Sequence, residues 1–316
     1  MIGSQDVERL PTASVVRTAR AMAVDQVTAE VVEAMGLRGI APILLKGPAI
    51  ARWLYPEGGR SYRDTDLLVG PAEFANAGAV LVDLGFATDG QGWAARPAST
   101  YQRQDPKSNQ PFWVDLHRTL PYAQAPSAQV WSVLRADTGE MTVGGTTVAV
   151  LAPPARLVHV ALHAAQHGIG VSQPLDDLRR AVATVDTGSW HEAVEVARRL
   201  GAEDCVSAGL ILLPEGRALA AELGLTKDIR PILRTSTRVN AAGWALQELA
   251  DASSLRERIA IVHDLLFPTS VAMLRISPWA RRGRISLALA YLGRLVRLPW
   301  RLVQALKVRR SDRGLR

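Results

Sequence analysis

The sequence predicts an α+β chain: strands and helices mixed up to about residue 152, then helices almost alone. Two observations carry this. Short apolar or alternating runs bounded by Gly and Pro ("IAPILLKG", "RDTDLLVG", "QPFWVDLHRTL") are interleaved with runs of helical spacing, and after Pro153-Pro154 the helical spacing continues nearly unbroken to about residue 267. At 316 residues and 48% apolar, the chain is long enough for two domains with a real core, and 5% aromatic with 21% charged residues argues against both wholesale disorder and a multi-span membrane protein.

Taken in order, residues 12–37 are rich in Ala and Val at helical spacing and close on Gly36 and Gly39, which predicts an opening helix. "IAPILLKG" (40–47) reads as a buried strand. "PAIARWLYP" (48–56) starts with Pro in a first-turn position and is stopped by Pro56, giving strand, tight turn, helix. "RDTDLLVG" is the next strand, and "PAEFANAGAVLVDLGF" (71–86) is a helix closed by Gly85. Residues 110–120 alternate as a strand, and "EMTVGGTTVAVLAP" is a hairpin turning at Gly144-Gly145. Helices are then predicted over 154–168, 173–185, 189–200 and 203–223, with further segments to about 267. There is no internal repeat and no low-complexity stretch. The expected divisions are 1–39, an N-terminal helical segment; 40–152, the mixed domain; 153–270, a helical domain; and 271–316, a basic tail.

Period-two alternation puts Asp64, Asp66 and Leu68 on one face of their strand and Thr65, Leu67 and Val69 on the other. The later strand repeats the device, with Phe112, Val114 and Leu116 toward the core and Trp113, Asp115 and His117 opposite. If the two strands are neighbours, Asp64, Asp66 and Asp115 converge. Converging carboxylates repel unless a cation sits among them or some are protonated. Mg²⁺ (or Mn²⁺) suits such oxygen ligands and completes its shell with substrate phosphate, which points to transfer of a nucleotidyl group from a nucleoside triphosphate. Lys46 and the turn at Gly47 are placed to meet phosphate, as is the guanidinium of Arg63.

The runs "LLKGPAI…WLYPEGGRSYRDTDLLV", "VDLHR" and "LVHVALHAAQHG…PLDDLRRAV…SWHEAVEVARRLGA", spanning roughly residues 30–270, resemble the uncharacterised nucleotidyltransferase family of the DNA polymerase β-like superfamily. The resemblance implies a polymerase-β-type domain with a mixed sheet and flanking helices, followed by a helical domain. It implies Asp64, Asp66 and Asp115 as catalytic metal ligands, with Asp115 also a possible base for the incoming hydroxyl, and Gly47 in the nucleotide-side turn. The wider superfamily has Gly-Ser or Gly-Gly where this chain has Lys46-Gly47-Pro48, and Pro48 removes one N–H from the turn.

Several residues keep two readings. Asp-x-Asp alone also describes a solvated strand end, Arg63 also reads as a structural neutraliser of Asp64, and Lys46 as a snorkelling surface lysine. His117 either orients Asp115, touches substrate, or is a satisfied semi-buried histidine. His159, His163 and His167, at i, i+4 and i+8, form a stripe on one helix face that either binds a transition metal with Asp176 or Asp177 or belongs to a buried polar network between helices.

Cys205 is alone, so an intramolecular disulfide and a cysteine-cluster zinc site are both excluded. The first residues lack the basic-then-apolar pattern of an export signal, which predicts a cytoplasmic protein. Of the net charge of +7, residues 275–316 contribute twelve Lys or Arg against Asp312, or +11, which leaves −4 on the remainder. The basic character therefore belongs to the tail and does not argue for nucleic-acid binding by the body. In "RISLALAYLGRLVRLPWRLVQALKVRR" (284–310), Arg294, Arg297 and Arg301 share a side against Leu292, Leu295, Leu298, Trp300 and Leu302, with a kink expected at Pro299. This predicts a basic amphipathic helix suited to an anionic inner-membrane surface, an acidic partner or nucleic-acid backbone, or a loosely packed terminus, and its arginines exclude a transmembrane span. The functional expectation is a metal-dependent nucleotidyltransferase acting on an unknown acceptor (small molecule, peptide or RNA) with release of pyrophosphate. The alternative is a catalytically silent module of the same fold that docks through its tail.

Overall fold

The structure, a computed structural model, describes residues 13–88, 98–108, 110–168, 171–225, 255–267, 273 and 277–297. The order of elements is α1 (Ala13–Gly36), β1 (Ile43–Leu44), α2 (Pro48–Leu54), β2 (Asp64–Leu68), α3 (Phe74–Asp83), β3 (Ala87–Thr88), β4 (Ala98–Arg103), β5 (Phe112–His117), α4 (Ser127–Arg135), β6 (Thr138–Val143), β7 (Thr146–Leu151), α5 (Pro153–His167), α6 (Ser172–Thr184), α7 (Thr187–Leu200), α8 (Glu203–Leu210), α9 (Pro214–Glu222) and α10 (Leu255–Leu266). Residues 284–297 are also helical. This is the expected α+β order, with a mixed sheet before a helical part.

The strands form one seven-stranded sheet in the order β3-β4-β5-β2-β1-β7-β6. β2 and β5 are parallel neighbours, while β1 lies antiparallel to β2 and parallel to β7. The β6–β7 hairpin turns between Val143 and Thr146 through Gly144-Gly145, both at positive φ, as the sequence predicts.

Both faces of the sheet are covered. On one, Leu67, Val69, Val114 and Leu116 pack against Val24, Val27, Val31 and Met35 of α1 and Val80 and Leu81 of α3. On the other, Ile43, Leu45, Leu68 and Leu151 share a single core with Leu157, Val158 and Leu162 of α5 and with Trp190, Leu200 and Leu210 further along the helical part. Gly209 allows α8 to lie tightly on α5, because a Cβ there would fall 2.2 Å from the Ala161 carbonyl oxygen.

Some elements differ from expectation. The strand predicted over 40–47 is only Ile43–Leu44, since the chain turns away at Gly47, whose φ of 62° and ψ of −124° suit glycine alone. The helix expected over 203–223 is two helices, α8 and α9, with the break before Pro214. β3, β4 and α4 were not predicted. Among the described residues no helix is long and apolar enough to cross a membrane. In the tail, Ala290 is buried against Met273 and Ala280, while Ile285, Leu289, Leu292 and Val296 are exposed. The helical segments expected between 226 and 254, and Leu298, Pro299, Trp300, Arg301 and Leu302, lie outside the described residues.

Candidate active site

The site grows out of strand register. β2 and β5 pair with Asp66 directly beside Asp115 and Asp64 beside Trp113. Neighbouring strands stand about 4.8 Å apart, so the three carboxylates of Asp64, Asp66 and Asp115 leave one face of the sheet as a single group. The opposite face carries Thr65, Leu67, Val114 and Leu116, and there Thr65 Oγ1 is fixed 2.7 Å from Thr28 Oγ1 of α1. The Thr65 face is core, while the Asp66 face carries the carboxylates at the edge of the second core, next to Leu68 and Leu45.

Each carboxylate has its own surroundings. Asp66 is almost wholly buried; its Oδ1 lies 2.7 Å from Lys46 Nζ and 3.2 Å from His117 Nε2. Burial alone would raise its pKa, but the Lys46 ammonium and then the His117 hydrogen bond outweigh burial and hold it far below the ordinary carboxylate range. Because the ionised Asp66 can only accept, Nε2 of His117 is the donor, leaving Nδ1 of His117 buried without a partner. Oδ2 of Asp66 is likewise buried and unpartnered. Asp64 has its pKa raised, first by burial and then by the negative charges of Asp66 and Asp115. Asp115 accepts a 2.6 Å hydrogen bond from Thr100 Oγ1 on β4.

Lys46 is not a surface lysine. Its side chain is 19% exposed, and although burial opposes its charge, Asp66, with Asp64 and Asp115 beyond, raises its pKa. Gly47 makes the turn from β1 into α2, and the first N–H of that helix is missing because Pro48 follows. Arg63 is the predicted site residue that the fold does not bring to the carboxylates. It is exposed, makes no ion pair with Asp64 among the described residues, and its charge is felt by Arg20 on α1. It stands in the loop directly before β2.

The arginine that does enter this region is Arg60. Its Nε and one terminal nitrogen donate to the two oxygens of Asp177 on α6, each at 2.8 Å, and its other terminal nitrogen lies 3.5 Å from the Gly47 carbonyl oxygen. Tyr55 Oη adds a third donor to Asp177 at 2.8 Å. Gln173 on the same helix donates to the Ser61 carbonyl. The loop between α2 and β2 is thus held from α6. Its sequence signal was the Arg-x-x-x-Asp-x-Asp spacing, in which Arg60 stands first.

The histidine stripe on α5 also faces this end of the sheet. Rings of His159 and His163 stack at 6.2 Å between centroids, and His163 meets His167 edge-on at 4.7 Å. Burial first, and the charge of Lys46 second, push the pKa of His159 down to about 3; both effects also lower those of His163 and His167. Among the described residues no hydrogen bond from the three rings ties α5 to another helix, and the rings contact one another, one pair stacked and one edge-on. No group of three or more His, Cys, Asp or Glu among the described residues is arranged as a ready-made metal cage, either here or at the aspartates. An ion of the magnesium type takes one or two carboxylates and draws its remaining ligands from water and phosphate. The free Oδ2 of Asp66 and the mutual repulsion felt by Asp64 are the features that fit one.

A pH dependence of stability follows from His159. The unfolded chain takes up a proton at this residue below about pH 6.5, the folded chain only near 3, so the unfolded state binds more protons in between and stability falls as pH falls. The slope is about 1.4 kcal/mol per pH unit, or roughly 2 kcal/mol between pH 6.5 and 5. Asp64, with a raised pKa, works in the opposite sense, so the contribution is isolated by comparing wild type with His159→Asn in urea unfolding at pH 7 and pH 5. Wild type is expected to lose about 2 kcal/mol more than the variant; equal losses would contradict a neutral buried imidazole.

A mixed sheet that aligns carboxylates from two parallel strands beside a lysine-glycine turn, with a helical part closing the same face, is a fold of the nucleotidyltransferase class. Residues 5–215 match the profile of the uncharacterised nucleotidyltransferase family, and the chain belongs to that family. The match begins nearer the N-terminus and ends earlier than the 30–270 suggested by the motifs. Among solved structures, the chain is similar to an antigenic nucleotidyltransferase-like protein from Paracoccidioides brasiliensis, with 15% identity and a TM-score of 0.44 over 66% of this chain and 94% of that one. No curated protein matches the sequence significantly.

Proposed function

We propose that the protein is a metal-dependent nucleotidyltransferase that moves a nucleoside monophosphate from a nucleoside triphosphate to an acceptor and releases pyrophosphate. The observation that carries the reading is the pairing of Asp66 with Asp115 across parallel strands, with Asp64 on the same face and an oxygen of Asp66 left unpartnered. Asp64, Asp66 and Asp115 are the residues to hold Mg²⁺ or Mn²⁺, which when bound neutralises triphosphate oxygens and acidifies the attacking hydroxyl. Asp115, which accepts a hydrogen bond from Thr100 Oγ1, would take that hydroxyl's proton. His117 holds Asp66 in one rotamer through Nε2. Lys46 and the turn at Gly47 stand on the side where phosphates belong, and Arg60 braces that turn from behind. The nucleotide would bind where Asp64, Asp66 and Asp115 leave the sheet beside the Gly47 turn, with the acceptor, a small molecule, peptide or RNA, beside it.

The test is incubation of the protein with each of the four α-labelled nucleoside triphosphates and Mg²⁺ in a cell lysate, followed by fractionation into small molecules, protein and RNA. Label is expected in one fraction, dependent on the divalent cation, with stoichiometric pyrophosphate. Labelling unchanged by chelation, or absent from every fraction, contradicts the reading.

A further inference from the structure

We infer that Lys46 is a displaceable counter-ion: it competes with a divalent cation for the Asp66 carboxylate, and on cation binding it turns to the triphosphate. The inference rests on the metal-dependent reading above and names the residue that answers to the metal.

Three observations support it. Lys46 Nζ occupies one oxygen of Asp66 at 2.7 Å, while the other is buried, unpartnered and therefore costly as it stands. The charges are those of an incomplete pair: one ammonium among the carboxylates of Asp64, Asp66 and Asp115 leaves −2, the charge a divalent cation would balance.

The third observation is the manner in which Lys46 is held. Leu45 N–H donates to the Asp66 carbonyl, so continued strand alternation would place the next residue, Lys46, on the Thr65 face. The chain leaves the strand instead, and the lysine reaches Asp66 from a turn on a flexible four-carbon stem. The contrast with the neighbouring Arg60–Asp177 pair is direct. There a planar fork binds both carboxylate oxygens, with side chains 3% and 2% exposed, and neither oxygen is left unpartnered. At Asp66 a point charge binds one oxygen from a side chain that is 19% exposed. The first pair is built to stay and the second to open.

The experiment is Mn²⁺ titration of wild type and Lys46→Met at pH 8, read by the free-Mn²⁺ paramagnetic signal, first alone and then with inorganic tripolyphosphate, which avoids any choice of base. The variant is expected to bind Mn²⁺ alone about tenfold more tightly or better, because a competing charge is gone. It is expected to bind Mn²⁺-tripolyphosphate about tenfold more weakly, because the phosphate loses an ammonium. This crossing of signs is not what a merely structural lysine gives, since loss of structure weakens both. Equal or weaker Mn²⁺ binding by the variant overturns the inference. Asp66→Asn separates it from its premise: Mn²⁺ binding that needs Asp66 but gains nothing from Lys46→Met removes only the counter-ion role, whereas binding indifferent to Asp66 removes both. Should Lys46→Met fold poorly, the wild type supplies a second measurement, the rate at which an N-hydroxysuccinimide ester acylates Lys46, followed by mass spectrometry. Mn²⁺ is expected to raise that rate several-fold as the amine leaves Asp66, and no rise overturns the inference.

Discussion

Asparagine at both Asp64 and Asp66 is expected to abolish nucleotidyl transfer, by about 10³-fold or more, because charge aimed at the reacting phosphate is the main catalytic resource of such a site. The two positions should part company in stability. Asp64 already has a raised pKa from burial and from Asp66 and Asp115, so Asp64→Asn removes a repelled charge and leaves the fold unchanged or firmer. Asp66 is the direct partner of Lys46, so Asp66→Asn leaves that ammonium with only the more distant Asp64 and Asp115 and lowers stability. Transfer assays beside urea unfolding check this. Loss of activity at Asp64→Asn without loss of stability is the mark of a functional carboxylate; full turnover in the double variant places the chemistry elsewhere.

Arg60→Ala and Asp177→Ala are each expected to cost about 3–5 kcal/mol, since either leaves a buried charge without its partner. Removal of Asp177 strands two donors, the Arg60 guanidinium and Tyr55 Oη. The apolar double replacement Arg60→Met with Asp177→Leu should recover a large part of that loss, because it removes both desolvated charges together. Unfolding in urea at pH 7 measures all three. The pair also joins the loop before β2 to α6, so the recovered double variant should stay folded while transfer remains weakened, through a Gly47 turn no longer braced. Full transfer in that variant would show that the brace is structural only.

The carboxylate face was legible because β-strands repeat every two residues: Asp64 and Asp66, and separately Asp115 and His117, had to share faces once their segments were strands. That β2 and β5 are neighbours, in a register setting Asp66 beside Asp115, was a condition only the sheet could meet. Thr100 was missed because β4 lies at the sheet's side in a polar segment without an apolar alternation strong enough to mark it. Residues 89–97, just before β4, lie outside the described residues. The exchange of Arg63 for Arg60 has a similar cause: three residues apart in an irregular loop, they take directions set by the backbone there, and the partner of Arg60 stands 117 positions later. Lys46 was read as meeting phosphate or solvent, and its bond to Asp66 depends on a turn that departs from the strand period. Periodicity finds what regular elements carry, and turns carry the rest.

On the proposed mechanism, acidic side chains of β2 and β5 grip a divalent cation. Anomalous diffraction from crystals soaked in Mn²⁺ and tripolyphosphate tests it most directly. The account predicts a manganese peak about 2.1 Å from Oδ2 of Asp66, with oxygens of Asp64 or Asp115 in the same shell and Lys46 turned away. Manganese bound only elsewhere, with Lys46 still seated on Asp66, would contradict it.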